Sequence, residues 1–478
     1  MKIISDNAMK IARIYFSCLL ICFQASIAFI SCKEKTEIHA FDDANKIINK
    51  IIIPEFPNNT LNILDLGAIG DGETLNTEAI TRAIDSIHNL EGGKVVIPAG
   101  NFLTGPIYLK SNVNLHLEEG ANVLFTTDTE AYLPVVRTSF EGVEIMNYSP
   151  LIYAYQQKNI AVTGKGTFNG QASNVNWWPW CGKDSYGYTE GSPKQTDDHN
   201  LPGLRTMNEN ATPVSERLFG KGHQLRPTFF EPFECENVLV QGVTFKNAPF
   251  WVMHPMKCNG VTIDGVTVSS HGPNNDGCDP EYSKNVHITN CTFDTGDDCI
   301  AIKSGRNDEG RRVNIPSENI VIENCNMKDG HGGVVMGSEI SAGVRNVYVR
   351  NCKMDSPELE RAIRIKTNTL RGGFVKNVFV KNVQVGQVKE AVLKINTYYG
   401  IYANQEGAFI PSIKNIHLED IEVDNGGKFG VLIKGRAEDP VKNVTLTNVH
   451  IKNAETPLSI ENCEPIVFKN TTINEKQY

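Results

Sequence analysis

The stretch Asn285-Val-His-Ile-Thr-Asn290-Cys carries the pattern that decides the fold of this chain. Its apolar residues alternate with polar ones, and this period of two predicts a half-buried strand. Asparagines stand at both ends, and asparagine tolerates the left-handed backbone conformation that a tight turn requires. The same phrase recurs as Asn237-Val-Leu-Val-Gln-Gly242-Val, Gly260-Val-Thr-Ile-Asp-Gly265-Val, Asn319-Ile-Val-Ile-Glu-Asn324-Cys, Asn346-Val-Tyr-Val-Arg-Asn351-Cys, Asn377-Val-Phe-Val-Lys-Asn382-Val, Asn415-Ile-His-Leu-Glu-Asp420-Ile and Asn443-Val-Thr-Leu-Thr-Asn448-Val.

The spacing of these copies predicts how the strands assemble. They follow one another at roughly 22 to 38 residues with little helix between them, which indicates a solenoid and not a sandwich. We therefore predict an all-β chain wound as a parallel β-helix. Residues 77–88 show helical periodicity, and one short amphipathic helix there is expected to cap the open N-terminal end of the solenoid.

Parallel coils place equivalent side chains above one another, so the repeat also predicts stacking. A hydrogen-bonded ladder is expected along Asn290, Asn324, Asn351, Asn382 and Asn448. The cysteines that follow are expected to stack as small buried apolar side chains at Cys291, Cys325 and Cys352. Twelve cysteines occur in the chain, and three belong to the N-terminal segment. The odd remainder, with no Cys-x-x-Cys, argues against a disulfide framework and against a zinc site.

The N-terminus has the pattern of an export signal. Basic residues precede an apolar run over residues 14–30, which is sized for a signal sequence and short for a membrane span. The run ends in Phe29-Ile-Ser-Cys32-Lys, which resembles a bacterial lipoprotein site with Cys32 lipidated; ordinary cleavage after Ala28 is the alternative. We predict that residues 1–35 are removed or lipidated at Cys32, and that residues 36–478 form one catalytic domain.

Location and partners follow from this segment and from the charge. The protein is predicted to be exported, as a periplasmic protein or an outer-membrane lipoprotein of a Gram-negative bacterium, touching the membrane only through a lipid anchor. The formal net charge of -9 without a basic stripe argues against nucleic acid as a partner. An acidic substrate would need a local basic pocket. A β-helix with both ends capped is expected to work as a monomer.

Acidic residues cluster within the repeat region. Asp297 and Asp298 are adjacent, and Asp276 lies about one coil upstream. Asp297 follows Asn285 by the same 12 positions as His331 follows Asn319, which predicts neighbours on adjacent coils about 5 Å apart. Steps of about one lap predict a stripe along one groove made of His254, Asp276, Asp297, Asp298, His331, Arg364, Lys366 and Tyr399.

The residue types in this stripe indicate acid–base hydrolysis. Convergent carboxylates without a metal motif allow one protonated carboxyl to donate to a leaving oxygen while others activate water. Arg364 and Lys366 imply a negative group on the sugar, such as a uronate carboxylate, which arginine can hold at two points. Residues 172–232 interrupt the repeat and are predicted to form a long loop over one face. Its tryptophans, Trp177, Trp178 and Trp180, would either stack on sugar rings or pack beneath the loop.

Four short motifs in a fixed order give the chain a resemblance to a known family. They are Asn274-Asn-Asp276, Gly296-Asp-Asp298, Gly330-His-Gly332 and Arg364-Ile-Lys366. With them, nearly all of the mature chain resembles the polygalacturonases, which are pectin-cleaving glycoside hydrolases with a right-handed parallel β-helix. The one departure is Asn275, where the family usually has threonine.

The resemblance implies hydrolysis of α-1,4-galacturonosyl linkages with inversion, and it implies residue roles. Asp297 matches the general acid, Asp276 and Asp298 match the groups that activate water, and His331 matches the residue that tunes the proton of the acid. Arg364 and Lys366 match the residues that bind the galacturonate carboxylate, and Tyr399 (with Tyr398 as the alternative) matches a tyrosine that shapes the site. Asn274, from the first motif, and His254, placed in the groove by the lap spacing alone, are also predicted to bind substrate. No metal or organic cofactor is implied.

Two extra segments bear on the mode of action. The 172–232 loop and the stretch 305–316 are expected to wall off one end of the groove, which favours exo action by analogy with exo-acting members. Three alternatives stay open at this point. They are a rhamnogalacturonan-cleaving hydrolase of the same family, a calcium-dependent β-helix pectate lyase, and a non-catalytic glycan-binding β-helix.

Overall fold

The computed structural model describes residues 40–400 and 407–478. The chain divides into two units, residues 1–46 and residues 47–478. Of the first unit, residues 40–46 are described and are helical. The predicted export segment, residues 1–35 with Cys32, lies outside the described residues. Within the described ranges, no helix has the length and apolar character needed to cross a bilayer.

The second unit is a parallel β-helix, as predicted, and its winding is right-handed, the sense favoured for parallel crossovers. The strands stack into three faces, and the long strands Phe374–Gln387, Ser412–Asn425 and Lys442–Ile451 run through both the first and the second face. The strands of the first face are Thr60–Asn62, Gly93–Ile97, Val113–Leu117, Lys158–Gly164, Glu236–Gln241, Asn259–Asp264, Lys284–Thr289, Ser317–Glu323, Val344–Arg350, Phe374–Gln387, Ser412–Asn425, Lys442–Ile451 and Val467–Lys469. The strands of the second face are Asp71–Leu75, Gly100–Thr104, Ala121–Phe125, Thr167–Asn169, Thr244–Lys246, Thr267–Ser270, Thr292–Thr295, Asn326–Met327, Lys353–Met354, Thr472–Ile473 and the antiparallel Lys476–Gln477.

We call the third face the front sheet, because it carries the candidate site. Its strands are Ile107–Tyr108, Ile152–Tyr155, Phe230–Phe233, Ile300–Ile302, Val334–Gly337, Arg361–Lys366, Ala391–Asn396, Phe429–Lys434 and Thr456–Glu461. Single parallel bridges at Met253 and Cys278 connect Phe230 to Ile300 across two coils that lack a full strand. The front sheet is therefore continuous across the middle of the described chain.

Other elements flank the coils. An antiparallel hairpin joins Val136–Phe140 to Val143–Asn147, and we call it the hairpin. The α-helices are Thr77–Asn89, Leu201–Glu209 and Asn307–Val313, and the last is called the inserted helix. Short 3-10 helices span Ile63–Leu66, Thr129–Tyr132, Trp178–Cys181, Asp184–Tyr186 and Val214–Glu216.

The helix Thr77–Asn89 confirms the predicted capping helix. Its buried residues are Ala79, Ile80, Ala83, Ile84 and Ile87, which share one face. That face joins the main hydrophobic core at its N-terminal end, together with Val95 and Val113 of the first coils. The helix thereby covers apolar side chains that the terminal coil would otherwise expose.

Asparagines turn the chain at the same position in each coil, with positive φ at every copy of the repeat, for example +56° at Asn285 and +58° at Asn346. The ladder, however, runs along the first asparagine and not the second. Its Nδ2-to-Oδ1 bonds link Asn159 to Asn112, Asn237 to Asn159, Asn285 to Asn259, Asn319 to Asn285, Asn346 to Asn319, Asn377 to Asn346, Asn415 to Asn377 and Asn443 to Asn415.

The second asparagine row forms the predicted contact only in places. Asn382 donates to Asn351 at 2.7 Å, but Asn290 and Asn448 donate to aspartates, Asp264 and Asp420. Glycine or aspartate occupies several positions of this row, and these residues cannot extend an amide ladder. The prediction was therefore right about stacking and wrong about which row carries it.

The core runs through the centre of the coils. It includes stacked aromatic rings, among them Phe245, whose centroid lies 5.5 Å from Phe168 and 5.3 Å from Phe229. Cys291, Cys325 and Cys352 are free and buried, as the repeat predicts. Every described cysteine is free, so the packed coils are joined without disulfides over the described ranges.

Candidate active site

The acidic pair sits on the turn between the strands Thr292–Thr295 and Ile300–Ile302. Thr295 Oγ1 donates to the carbonyl oxygen of Asp297 at 2.8 Å, and the backbone N–H of His331 donates to the same oxygen at 3.0 Å. Gly296 has no room for a side chain, because a Cβ there would lie 2.6 Å from the carbonyl oxygen of Gly272. The turn is thus held on both sides by neighbouring coils.

Three carboxylates converge above this turn. Asp276, Asp297 and Asp298 each place an oxygen within 4.8 Å of the others. Pairing of Ile300 with Val334 sets His331 level with Asp297, which confirms the predicted neighbours. The bridge between Cys278 and Ile300 sets Asp276 level with Asp298 and not with Asp297. The lap estimate for Asp276 was therefore one residue off, although the carboxylates still meet.

A cationic pair lies against the middle carboxylate. Lys366 Nζ is 2.6 Å from Asp298 Oδ2, and Arg364 Nη1 is 3.3 Å from Asp298 Oδ1. Burial opposes both positive charges, but the negative charge of Asp298 outweighs it and raises the pKa of Lys366 and of Arg364. The ring of Tyr399 covers both cations, with its centroid 5.3 Å from Arg364 Cζ and 5.2 Å from Lys366 Nζ. Tyr398 instead contacts Arg436, so the choice of Tyr399 agrees with the geometry.

His331 and Asp297 form a hydrogen-bonded pair at the open side of the site. His331 Nδ1 lies 3.0 Å from Asp297 Oδ1, and 18% of the Asp297 side chain is exposed, against 4% for Asp276 and 0% for Asp298. Burial alone would raise the pKa of Asp297, but the hydrogen bond and charge of His331 hold it well below its usual range. The same hydrogen bond raises the pKa of His331. In the free protein, Asp297 therefore ionises at a lower pH than an ordinary aspartate, and His331 keeps its proton to a higher pH than an ordinary histidine.

Asp276 behaves in the opposite way. Its burial, and then the negative charge of Asp297, raise its pKa to about 8. Lys303 Nζ lies 3.4 Å from Asp276, 3.3 Å from Asp279 and 3.6 Å from Glu339, and only partly offsets this effect. Neither oxygen of the fully buried Asp279 has a hydrogen-bond partner among the described residues. Sequence reasoning missed Lys303 and Asp279, because a lysine after a buried Ile-Ala-Ile run carries no signal that it turns inward.

His254 does not line the groove, so its prediction as a substrate-binding residue was wrong. Its side chain is fully buried, with Nδ1 3.2 Å from Glu231 and Nε2 2.9 Å from Glu281. Burial alone would lower its pKa, but the hydrogen bonds to the two glutamates raise it to about 10. The bridge between Met253 and Cys278 sets His254 level with Asp279, three residues from the predicted register. His254 is a structural cation beneath the front sheet.

Asn274 also has a role in packing. Arg226, fully buried in the 172–232 loop, donates from Nη2 to Asn274 Oδ1 at 2.8 Å and from Nη1 to Pro273 O at 2.7 Å. The loop is thereby fastened beside Asp276. Trp177 is 2% exposed, and Trp178 donates its indole N–H to Ala248 O at 2.9 Å.

Trp180 also packs against the core, and its ring centroid lies 4.9 Å from that of Trp177. The contacts of the three tryptophans therefore support packing beneath the loop and not stacking on sugar rings. Tyr186 of the same loop lies within the field of Asp297; burial, and then that charge, raise its pKa.

Two groups of side chains in the described residues have the spacing for a metal ion. One is Asp276, Asp297 and Asp298, and the other is the more exposed group His271, Asp294 and Asp329. In the first group, Lys366 and Arg364 already neutralise Asp298. A divalent cation there would meet two fixed positive charges.

The front sheet of this parallel β-helix carries convergent carboxylates next to a shielded cationic pair, and such a site is suited to glycoside hydrolysis. The protein is a glycoside hydrolase. Residues 215–473 match the family described as "Glycosyl hydrolases family 28", and residues 60–126 match "Rhamnogalacturonase A/epimerase, pectate lyase-like". The chain belongs to glycosyl hydrolase family 28.

Similar proteins share the architecture over most of the chain. A hyperthermoactive exopolygalacturonase from Thermotoga maritima is 43% identical, with a TM-score of 0.85 over 90% of this chain and 96% of that one. The exo-poly-alpha-D-galacturonosidase of Dickeya chrysanthemi is 27% identical over 87% of this chain and 71% of its own length. The polygalacturonase of Erwinia carotovora, at 23% identity and a TM-score of 0.63 over 87% of this chain and 98% of that one, shares the fold.

Proposed function

We propose that this enzyme hydrolyses α-1,4-galacturonosyl linkages of pectin by general acid–base catalysis, acting from chain ends. The observation that carries the proposal is the Arg364–Lys366 pair, fixed beside the Asp297–His331 pair. A uronate carboxylate bound by these two cations would place the adjoining glycosidic oxygen next to Asp297. Buried arginine and lysine of this kind favour an anionic sugar over a neutral one.

Exo action is supported by the relatives named above and by the walls of the groove. Arg306, at the start of the inserted helix, forms an ion pair of 2.6 Å with Glu141 in the turn of the hairpin. Arg217 of the 172–232 loop forms a buried ion pair of 3.1 Å with Glu309 of the inserted helix. Loop, hairpin and inserted helix are thus joined into one wall, as expected for a groove that admits a chain end.

Asp297 is proposed as the general acid. Asp276 holds a proton more readily in the free protein, yet it is almost fully buried and faces Lys303. Asp297 is the most exposed of the three carboxyls, and His331 beside it carries a proton that can pass through Asp297 to a leaving oxygen. Access to the substrate and a proton source therefore both favour Asp297.

Asp298 is proposed as the principal base. It is fully buried and held by two cations in one orientation, so it can accept a proton from a water molecule placed between it and Asp276. Asp276, protonated below a pH of about 8 in the free protein, would orient that water by hydrogen bonding. This assignment refines the sequence-based expectation that both aspartates activate water.

Leaving-group chemistry tests the acid and the base separately. Loss of a general acid or base usually costs 10²–10⁴-fold in rate, so Asp297→Asn and Asp298→Asn are each expected to lose at least about 100-fold on digalacturonate. An aryl galacturonide with an acidic leaving group needs no proton from the enzyme. With this substrate the hydrolysis rate of Asp297→Asn should return towards that of the parent, whereas the rate of Asp298→Asn should stay low. Equal restoration of both variants would sink the assignment of Asp297.

The substrate is tested by following products from polygalacturonate in the presence of EDTA. Saturated galacturonate appearing alone from the start supports exo-hydrolysis, whereas a ladder of oligomers means endo action. Unsaturated products that EDTA abolishes would indicate a calcium-dependent lyase. Activity confined to rhamnogalacturonan would move the enzyme to the branched pectins, and binding without any turnover would leave a glycan-binding role.

Export and lipidation at Cys32 are part of the proposal, supported by the sequence Phe29-Ile-Ser-Cys32. Metabolic labelling with a fatty acid should mark the parent protein and not Cys32→Ser. Protease treatment of intact cells then separates periplasmic from surface exposure. We also propose a monomer, which sedimentation of the mature protein checks.

A further inference from the structure

Three arginines meet at the end of the groove beyond Lys303. Arg205 comes from the helix Leu201–Glu209, Arg306 precedes the inserted helix, and Arg371 follows the front-sheet strand Arg361–Lys366. They surround two carboxylates, Glu141 and Glu339. We call these five residues the arginine cluster. The four family motifs include none of them.

The cluster has more positive than negative charge. Glu141 receives Arg306 at 2.6 Å and Arg205 at 3.7 Å, while Glu339 receives Arg371 at 3.4 Å. Arg306 also lies 3.8 Å from Glu339, so each arginine has an ion-pair partner, but three guanidinium groups share two carboxylates and the cluster has a formal excess of one positive charge. Mutual repulsion is evident: burial first and the charge of Arg306 second lower the pKa of Arg205, and the same causes lower the pKa of Arg371 to about 9.

Unused hydrogen-bond donors accompany this excess charge. Within the described chain, Arg371 Nε and Arg306 Nε are buried and have no hydrogen-bond partner. The Arg371 side chain is only 7% exposed, so its bare N–H is costly unless a ligand or water meets it. Arg205 is the accessible member, with 44% of its side chain exposed. The cluster thus offers donors at the surface and beneath it.

The cluster adjoins the catalytic residues. Glu339 and Asp276 lie within 3.6 Å of the same atom, Lys303 Nζ, so they are no farther apart than twice that distance. Lys366, which holds Asp298, pairs in register with Gly337, two residues before Glu339. Glu339 therefore connects the arginine cluster, through Lys303, to the catalytic carboxylates.

We propose that the arginine cluster is a carboxylate-binding subsite for the uronate next to the one held by Arg364 and Lys366, with Arg205 as its specificity-determining residue. The inference rests on the proposed pectin substrate. Such a subsite would account for the convergence of three arginines from elements that lie outside the four family motifs. A guanidinium fork can hold a carboxylate at two points, whereas a neutral or methyl-esterified sugar would leave the excess charge unpaired. The enzyme would thereby select de-esterified substrate beyond the cleavage point.

The test measures binding, so that it does not depend on turnover. The Kd of digalacturonate and of its two singly methyl-esterified isomers is measured by calorimetry on the full chain and on Arg205→Gln, each carrying Asp297→Asn so that the ligand is not cleaved during the titration. We expect the parent to bind the free acid about tenfold more tightly than the isomer esterified at the neighbouring unit, the size of one charged hydrogen bond. Arg205→Gln should lose this preference, and Arg205→Lys should keep part of it.

Controls separate the outcomes. Arg82→Gln, on the capping helix, removes the same charge elsewhere and should retain the preference. A general loss of folding would weaken the binding of all three ligands alike and is thereby recognised. If Arg205→Gln still prefers the free acid over the isomer esterified at the neighbouring unit, the subsite is overturned. Failure of the parent to bind digalacturonate overturns it too. Hydrolysis is measured separately on the chain with Asp297 intact. Selective binding together with no release of galacturonate by that chain contradicts the proposed function and leaves the subsite supported.

Discussion

Replacing His331 by alanine is expected to change the pH dependence of the reaction as well as its rate. His331 Nδ1 lies 3.0 Å from Asp297 Oδ1, so the two groups titrate as a coupled pair. The hydrogen bond raises the pKa of His331 from its usual value of 6.5, so the pair keeps one proton to a higher pH than a free imidazole would. Loss of that proton at higher pH should set the basic limb of the activity profile above pH 6.5.

The size of the effect follows from where the proton goes. Without His331, Asp297 must hold the proton itself; burial raises its pKa from the ordinary value of about 3.9, while the charges of Lys366 and Lys303 lower it. A carboxyl with a pKa of about 4 to 5 is protonated in only roughly one molecule in ten to one in a hundred at pH 6. We therefore expect kcat/KM of His331→Ala to fall about 10- to 100-fold at pH 6 and only a few-fold at pH 4.

The assay is a profile of kcat/KM on digalacturonate from pH 3.5 to 8, with a matched control. His271 has the same 48% side-chain exposure as His331 and lies 2.9 Å from its own aspartate, Asp294. His271→Ala should keep the basic limb of the parent. A loss in His331→Ala of the same size at every pH would refute the shared proton, because it would show that His331 acts only in binding or packing.

Three other outcomes test the chemistry and the fold. The first product is expected to be the β-anomer, because in an inverting enzyme water attacks opposite the leaving oxygen. The oxygens of the three carboxylates lie within 4.8 Å of one another, which is nearer the roughly 5–5.5 Å carboxyl separation of retaining enzymes. Proton NMR of the first product distinguishes the two, and the α-anomer appearing first would rule out inversion. Phe245→Ala should lower the free energy of unfolding by about 3–5 kcal/mol, since the ring is fully buried and stacks on Phe168; a loss below about 1 kcal/mol in a denaturant titration would mean that the core closes over the cavity. Asn346→Ala should destabilise more than Asn346→Gly, because both lose the ladder bonds but only alanine is strained at φ +58°, by about 1–2 kcal/mol; equal melting temperatures would contradict the role of the turn.

Local rules made much of the architecture readable from the sequence. Each repeat combines period-two alternation with residues that accept positive φ, and both properties act over a few residues regardless of the rest of the chain. The same reasoning located the capping helix, whose five buried side chains follow its own periodicity. The pairing of His331 with Asp297 was also predictable, because equal offsets from Asn319 and Asn285 survive when two adjacent coils have the same layout.

Register across unequal coils was decided only by the tertiary structure. The pairing offset along the front sheet is 25 residues between Met253 and Cys278, 22 between Cys278 and Ile300, and 34 between Ile300 and Val334. Turn lengths absorb these differences, and a shift of one residue sends a side chain to the opposite face. His254 therefore points inward, although its count along the chain placed it in the groove.

Contacts between distant segments were equally beyond reach of the sequence. Lys303 meets three carboxylates from two neighbouring coils, and Arg205 reaches Glu141 from a loop that breaks the repeat. Such meetings depend on how loops fold over the solenoid, which no periodicity encodes. The coil, its turns and the acidic pair follow from local sequence. Which charges share a site depends on the folded chain, because electrostatic partners are set by distance in space and not by spacing along the chain.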